Sequence, residues 1–326
     1  MTATDARRAA LDHILALVAD SDWGAGMVLR GSMTLQAWVP AHARAPGDLD
    51  WIVPEPQFPD PLDPFPYIDT IESVQQWPEA AVGAARYQIW SDEDFDTFGC
   101  HPKLPPDGLR WIRAEEYQRP SLQDELTATI EHDPHAADGV VLDADGVHTD
   151  GQWSYFDSYD STGTRLIVPW NSHKHGAGQI QLDFAADQTL PDAPVWTVIP
   201  RADARPPTVV LTATRELSLA WKLLWLHTDS TETGRAAGKD LYDAVLLAEC
   251  PQTNLTPQLL RKVLGTQARD FNPDSIRHWR VDWTEFHRTH PGIHGEIGNW
   301  LDRLARAIPT QAIQSEPTTL HSRRRS

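Results

Sequence analysis

The chain has 326 residues, 40% of them apolar, and a formal net charge of −18. Such acidity argues against unspecific binding to duplex nucleic acid, which depends on neutralising phosphates. Two cysteines are too few for a disulfide framework and no apolar run is long enough to span a bilayer, so we expect a cytoplasmic protein that makes no membrane contact.

The first part of the chain combines helical and strand patterns. Apolar residues recur at helical spacing over 5–20, and short apolar runs predict strands over 26–30 and 48–53, on either side of a short helix at 32–38. The next stretch, 54–120, begins with a run of prolines that regular structure does not accommodate. We therefore expect this part, which is rich in Pro and Trp, to be an elaboration on the core.

A second mixed region and a helical region follow. Ser121 is predicted to cap a helix over 121–132, with Glu125 one position past the capping-box site. Alternating patterns with Asp-Gly turns predict a β-rich region over 139–200, and the chain beyond it has helical patterns. The expected fold class is α/β (α+β), divided into a mixed-sheet core over 1–210, a helical domain over 211–312 and a disordered polar tail over 313–326.

Two aspartates stand two residues apart in the second predicted strand. Asp48 and Asp50 share one face of that strand, while Leu49 and Trp51 take the other. Adjacent carboxylates repel each other and lose hydration when buried, unless a cation lies between them. Two interpretations therefore stay open, a site for a divalent metal, most naturally Mg²⁺ with Mn²⁺ as a substitute, or a solvated strand end.

Further positions extend this polar set. Asp183 is the acid on the polar face of a well-patterned strand, where it either completes a two-metal phosphoryl-transfer site or is simply solvated. Gly31 and Ser32 stand where a strand gives way to a helix, which suits a phosphate site or an ordinary N-cap. Lys222 interrupts a helix, 215–227, that is apolar nearly all round, so it must snorkel, pair or meet an anion.

Together these residues resemble the AbiEii/AbiGii-type nucleotidyltransferase toxin family, within the DNA polymerase β-like nucleotidyltransferase superfamily. The resemblance rests on five stretches: Gly31-Ser32; "RAPGDLDW" with Arg44, Asp48 and Asp50; Asp183; the Leu-x-x-Lys motif whose lysine is Lys222; and Arg235 followed by Lys239-Asp240-x-x-Asp243.

The chain departs from the family pattern in two places. Pro46 replaces the Ser of the motif that contains the aspartate pair, and the segment between Ser32 and Asp48 is longer than usual. The fourth family motif, a Lys with a Thr-x-Arg downstream, has no clean match, and Arg165 or the His173-Lys174-His175 turn would have to replace it.

The resemblance implies a polymerase β-like core with a mixed sheet, followed by helices that complete the active site. It implies Mg²⁺-dependent transfer of a nucleoside monophosphate from an NTP, by a toxin of a bacterial toxin–antitoxin or phage-defence system. Relatives that modify tRNA make tRNA one acceptor to test, and a cognate antitoxin becomes an expected partner. The implied roles are metal binding by Asp48, Asp50 and Asp183, with Asp183 also as base; nucleotide binding by Gly31, Ser32, Arg44, Lys222 and Lys239; and orientation of Lys222 or a substrate hydroxyl by Asp240.

Other interpretations remain open at this stage. A small-molecule, antibiotic-type nucleotidyltransferase would use the same core, and a non-catalytic binding scaffold would keep the fold alone. The histidines do not have the spacing of a zinc site. The tryptophans are most simply core residues, although one or two near 38–51 or 170 are candidates for stacking on a base.

Overall fold

The computed structural model of the protein describes residues 3–53, 73–76, 109–112, 121–154, 162–185 and 190–308. The predicted elaboration over 54–120 lies outside the described residues, except for two short antiparallel strands of which the backbone alone is described. The predicted tail over 313–326 also lies outside them.

The described strands form a mixed eight-stranded sheet and two small strand pairs. The bounds are β1 Val28–Arg30, β2 Leu49–Ile52, β3 Ser73–Gln76, β4 Leu109–Ile112, β5 Val140–Leu142, β6 His148–Ser154, β7 Thr162–Ser172, β8 Gly176–Ala185, β9 Val195–Ile199, β10 Thr208–Thr212, β11 Ala236–Ala237 and β12 Val281–Asp282. The large sheet has the order β5-β7-β8-β2-β1-β10-β9, with β6 also paired to β7, while β3–β4 and β11–β12 pair separately. In the large sheet β2 is parallel to β8 and β1 to β10, and its other pairs are antiparallel.

Helices flank this sheet and make up most of the C-terminal part. Their bounds are α1 Ala3–Ala19, α2 Leu35–Trp38, α3 Leu122–His132, α4 Arg215–Thr228, α5 Gly238–Glu249, α6 Pro257–Leu264, α7 Trp283–Thr289 and α8 Ile297–Ala307. The predicted α/β class is therefore confirmed. Within the described part of the chain, every helix is too short or too polar to cross a membrane.

The cap of α3 shows how local sequence sets a helix boundary. The Ser121 side chain accepts a hydrogen bond from the Asp124 backbone N–H, and the Asp124 carboxylate accepts one from the Ser121 backbone N–H. This reciprocal pair satisfies two amides that the first helical turn leaves without partners. The predicted cap is confirmed, and an Asp in the capping-box position replaces the Glu that the sequence offers one residue later.

The sheet separates two apolar cores. Leu29 and Trp51 belong to the core formed with α1 and α3, whereas Val28 and Ile52 belong to the core formed with α4 to α8. Successive strand residues point to opposite faces. Polar residues on β1 and β2 that share a face with Val28 and Ile52 therefore face the C-terminal helices. The division of the chain near residue 210 stays a prediction, because β1 and β2 contribute to both cores.

Candidate active site

Four charged residues lie in register across four neighbouring strands. Arg30 on β1 is opposite Asp50 on β2, Asp50 is opposite Asp183 on β8, and Asp183 is opposite Arg165 on β7. Residues opposite each other on paired strands have their side chains on the same face. The row therefore has two acids in its centre and a cation at each end, and it faces the C-terminal helices.

The predicted aspartate pair lies at the start of β2. Asp48 immediately precedes the strand and Asp50 is its second residue. Burial and the neighbouring Asp48 carboxylate raise the pKa of Asp50 to about 7, with a further contribution from Asp183, although Arg30 and Lys239 oppose the shift. With Asp48 beside it, the row has three acids against two cations, and a bound cation would relieve this imbalance.

The turn after β1 fits closely against this pair. Gly31 has φ +79°, and a Cβ at this position would lie 2.1 Å from Asp50 Oδ2, so only glycine fits here. Ser32 follows it and is 2% exposed. Its buried hydroxyl has no hydrogen-bond partner among the described residues, although it borders an open cleft. A buried hydroxyl of this kind is expected to meet a ligand or water.

Lys222 enters the cleft from α4 and is held by two carboxylates of α5. Its Nζ donates to Asp240 Oδ1 at 2.5 Å and lies 3.4 Å from Asp243 Oδ2. Burial alone would lower the pKa of Lys222, but Asp240 and Asp243 raise it above its ordinary value. Burial would likewise raise the pKa of Asp240, but Lys222 and Lys239 lower it. The pair is therefore ionised, and the buried lysine is neither snorkelling nor unpaired.

Asp243 lies in the interior of the protein and not on the exposed surface of α5. It is fully buried and accepts two hydrogen bonds from Arg44, at 3.0 and 2.9 Å. The i, i+4 spacing of Lys239 and Asp243 would suit a surface salt bridge, but Asp243 is directed at Arg44 and Lys222 instead. Lys239 is exposed and forms no ion pair within the described part of the chain.

All nine predicted site residues line one cleft of about 630 Å³, between the sheet and the C-terminal helices. They are Gly31, Ser32, Arg44, Asp48, Asp50, Asp183, Lys222, Lys239 and Asp240. The wall contains further residues for which the sequence pattern predicted no role: Arg30, Gln181, Trp225, Asp229, Ala236, Ala237 and Asp282. Arg165 and Arg235 also line it.

Trp225 is an aromatic residue of the cleft wall that the sequence did not single out. Its ring centroid lies 5.1 Å from Lys222 Nζ and 5.8 Å from Arg30 Cζ, both within cation–π range. Its spacing of three residues from Lys222 on α4 could have revealed it. The tryptophans suggested near 38–51 and 170 do not line the cleft. Trp51 and Trp170 are buried in the core on the other face of the sheet, and Trp38 packs against the core of the C-terminal helices.

The three predicted metal ligands are near each other but are not arranged around a common point. Among the described residues, no group of three or more His, Cys, Asp or Glu is placed to hold a metal ion. The Asp183 carboxylate instead accepts hydrogen bonds from Arg165 Nε at 2.7 Å, Arg165 Nη2 at 3.1 Å and the Gln181 amide at 2.9 Å.

Comparison with known families agrees with this geometry. A family model described as "Nucleotidyl transferase AbiEii toxin, Type IV TA system" matches residues 93–305, which is well over half of the chain. The protein is therefore a nucleotidyltransferase. It belongs to the AbiEii toxin family of type IV toxin–antitoxin systems. No curated protein matches the chain. The matched stretch contains Asp183, Lys222 and Asp240, and it begins after Asp48 and Asp50.

Proposed function

We propose that the protein transfers a nucleoside monophosphate from an NTP to an acceptor hydroxyl, with the help of Mg²⁺, and that this reaction is the basis of its toxicity. The observation that carries the proposal is the convergence on one cleft of an aspartate pair, a buried hydroxyl without a partner and an ionised lysine. Carboxylates for a metal and cations for phosphates are the parts that phosphoryl transfer needs.

Asp48 and Asp50 are the residues that would hold Mg²⁺, or Mn²⁺ in its place, with Asp183 as the third carboxylate. Hard oxygen donors suit these ions, and Mg²⁺ is usually bound through one or two carboxylates together with substrate phosphates and water. The raised pKa of Asp50 supports this assignment, because burial and the nearby acids Asp48 and Asp183 outweigh the opposing effect of Arg30 and Lys239. When bound, the metal would polarise the phosphate that is transferred.

The nucleotide phosphates are assigned to the cations and the hydroxyl of the same cleft. Ser32 would donate its hydroxyl to a phosphate oxygen beside Gly31. Lys222, fixed by Asp240, would stabilise the negative charge of the leaving pyrophosphate, and the exposed Lys239 would add a second positive charge. Both Arg44 hydrogen bonds go to Asp243, so we propose that Arg44 acts on the nucleotide chiefly through this shared partner of Lys222.

The proposed reaction is an in-line displacement at the α-phosphorus. The acceptor oxygen forms a bond to that phosphorus while the bond to the α,β-bridging oxygen breaks, and pyrophosphate leaves. The acceptor hydroxyl loses its proton to a carboxylate, for which we propose Asp183, the acid of the row nearest Asp50 in strand register.

We propose tRNA as the acceptor and a cognate antitoxin as the partner, in the cytoplasm. The family name supports an antitoxin partner, since it describes a toxin of a type IV system. The net charge of −18 opposes binding of tRNA, so any contact with the tRNA backbone has to be made by a local group of cations. A cationic small molecule of the antibiotic type is therefore the acceptor to compare with it.

Label transfer tests the proposal directly. The protein is incubated with each α-³²P-labelled NTP and Mg²⁺, and with total tRNA or an aminoglycoside as acceptor. We expect label in tRNA with wild-type protein, none with Asp50→Ala, and wild-type transfer with Asp274→Ala, which changes an exposed acid that is not part of the cleft. Transfer to neither acceptor by wild type, or equal transfer by Asp50→Ala, would contradict the proposal.

A further inference from the structure

Arg165 lies at the β7 end of the charged row and at the wall of the cleft. Its side chain is 25% exposed, whereas the Asp183 side chain that it contacts is 6% exposed. The pair is bidentate, with Arg165 Nε and Nη2 each donating to a separate carboxylate oxygen. The hydrogen bond and charge of Asp183 raise the pKa of Arg165 above its ordinary value. A cation that solvent and ligands can reach is thus held by an acid that they can hardly reach.

The Asp183 carboxylate is nearly saturated in this arrangement. An ionised carboxylate offers about four lone-pair sites, and Arg165 and Gln181 use three of them. A divalent cation at Asp183 would also lie beside the guanidinium and repel it. Arg165 and a metal therefore compete for the same acid, and Asp183 cannot satisfy both at full strength.

When metal and nucleotide enter the cleft together, the phosphates become a better partner for the Arg165 guanidinium than Asp183. The metal weakens the attraction of Asp183 for the guanidinium, and the phosphates supply new oxygens for it. Guanidinium matches phosphate in the same two-pronged geometry that it makes with carboxylate. By contrast, Lys222 is held between Asp240 and Asp243, on the opposite wall from the charged row.

We propose that Arg165 is a nucleotide-binding residue that Asp183 holds in the empty cleft. Binding of the metal–nucleotide complex moves the guanidinium from Asp183 to the phosphates, and Asp183 becomes available to the metal. This inference rests on the function proposed above. It makes Arg165 the link through which metal binding and nucleotide binding strengthen each other, and such coupling is reciprocal.

Two binding measurements test this role without any turnover. Mn²⁺ binding in the absence of nucleotide is followed by electron paramagnetic resonance, and binding of α,β-methylene-ATP and α,β-methylene-GTP is followed by calorimetry with and without Mn²⁺. For Arg165→Gln we expect tighter binding of Mn²⁺ alone, by severalfold or more, because Asp183 is released. We expect nucleotide binding to weaken roughly tenfold to a hundredfold, as for loss of a charged hydrogen-bonded pair.

A role in charge balance alone makes a different prediction for a variant that keeps the charge. If Arg165 only neutralised Asp183, Arg165→Lys would bind Mn²⁺ and nucleotide as wild type does, and that outcome overturns the inference. Arg303→Gln is the matched control, because Arg303 makes the same bidentate contact with Glu249 outside the cleft. It should bind Mn²⁺ and nucleotide as wild type does.

Failure of the inference and failure of the proposed function give different results. Wild type that binds neither Mn²⁺ nor nucleotide overturns the function, whereas wild type that binds both, with Arg165→Gln unchanged, overturns the role of Arg165 alone. Circular dichroism checks the fold of each variant. If Arg165→Gln does not fold, Arg165→Lys keeps the charge without the two-pronged contact, and an unchanged coupling between Mn²⁺ and nucleotide in that variant overturns the inference.

Discussion

At the scale of single residues, Asp243 connects the cleft to the fold. It is fully buried, it accepts two hydrogen bonds from Arg44, and it lies 3.4 Å from Lys222. One negative charge thus holds Arg44 and shares Lys222 with Asp240. If that charge is lost, Arg44 stays in the interior without its carboxylate partner and Lys222 keeps Asp240 alone, and this costs far more than the loss of a surface pair.

Asp243→Asn is therefore expected to lower the free energy of unfolding by about 3–5 kcal/mol. Urea denaturation at neutral pH measures the change. Glu249→Gln is the matched control, since Glu249 pairs with Arg303 where both side chains are well exposed, and it should cost about 0–1 kcal/mol. Equal destabilisation by the two variants would show that Asp243 contributes no more to stability than an exposed ion pair does.

The pKa of Asp50 leads to a pH-dependent prediction. Because folding raises it from 3.8 to about 7, the folded protein binds this proton more tightly than the unfolded chain. The stabilisation from the proton is full below pH 3.8 and is lost as the pH rises to about 7. Asp50→Asn keeps the neutral form at every pH, so in EDTA it should be more stable than wild type at pH 8, on the order of 4 kcal/mol.

Urea unfolding from pH 4 to pH 8 checks this expectation. The advantage of Asp50→Asn should be absent near pH 4, grow towards pH 7 and stay constant above it. Excess Mg²⁺ should reduce the advantage at pH 8, because a bound cation restores the charge balance in wild type only. An advantage that is largest in acid would contradict the assignment of the raised pKa to Asp50.

At the scale of elements, the turn between β1 and α2 constrains the site most tightly. Gly31 has a positive φ, and Asp50 Oδ2 occupies the place that a Cβ at this position would take. Gly26 has a similar φ of +84°, but nothing lies within 4 Å of its missing Cβ. The two glycines thus separate the cost of a left-handed backbone from the cost of displacing Asp50.

We expect Gly26→Ala to cost about 1 kcal/mol, the penalty of the backbone conformation alone. Gly31→Ala should cost more than this, by about 1–3 kcal/mol, and it should also abolish label transfer because Asp50 is pushed aside. Thermal unfolding and the transfer assay measure the two effects. Equal behaviour of both variants would mean that the contact with Asp50 is unimportant.

Elements with a clear local pattern could be predicted from the sequence, and their long-range partners could not. Alternation placed Asp50 and Asp183 on polar strand faces, because the period of a strand decides its two faces. The helix containing Lys222 was evident from its apolar surround. The burial of Asp243 was not predictable, because its partner Arg44 lies 199 residues away in the chain and i, i+4 spacing suggested Lys239. Likewise, only the sheet order puts Arg165 opposite Asp183.

At the scale of the whole molecule, an acidic protein contains a cleft for an anionic substrate. The net charge is −18, yet the cleft is formally neutral, because six aspartates line it together with six cations: Arg30, Arg44, Arg165, Lys222, Arg235 and Lys239. At low ionic strength a nucleotide is repelled by the whole surface before it meets these cations. The Debye length falls from about 30 Å at 0.01 M salt to about 8 Å at 0.15 M, so added salt removes the distant repulsion first.

The association rate of a fluorescent ATP or GTP analogue should therefore rise severalfold as KCl increases from roughly 10 to 150 mM. Stopped-flow measurements at fixed Mg²⁺ concentration follow this rate. Binding of the corresponding nucleoside, which has no phosphates, should hardly depend on salt. A rate that falls steadily with salt would mean that the cleft, and not the whole surface, controls the approach of the nucleotide.

The distribution of the site along the chain has a consequence for synthesis. Arg30 and Asp50 leave the ribosome early, Asp183 follows after more than half of the chain has been made, and Asp240 comes later still. A product that terminates early carries the aspartate pair but neither the lysine of α4 nor the acids that hold it. A nonsense mutation anywhere before α5 thus yields a protein without a complete cleft, because the acids that hold Lys222 are missing.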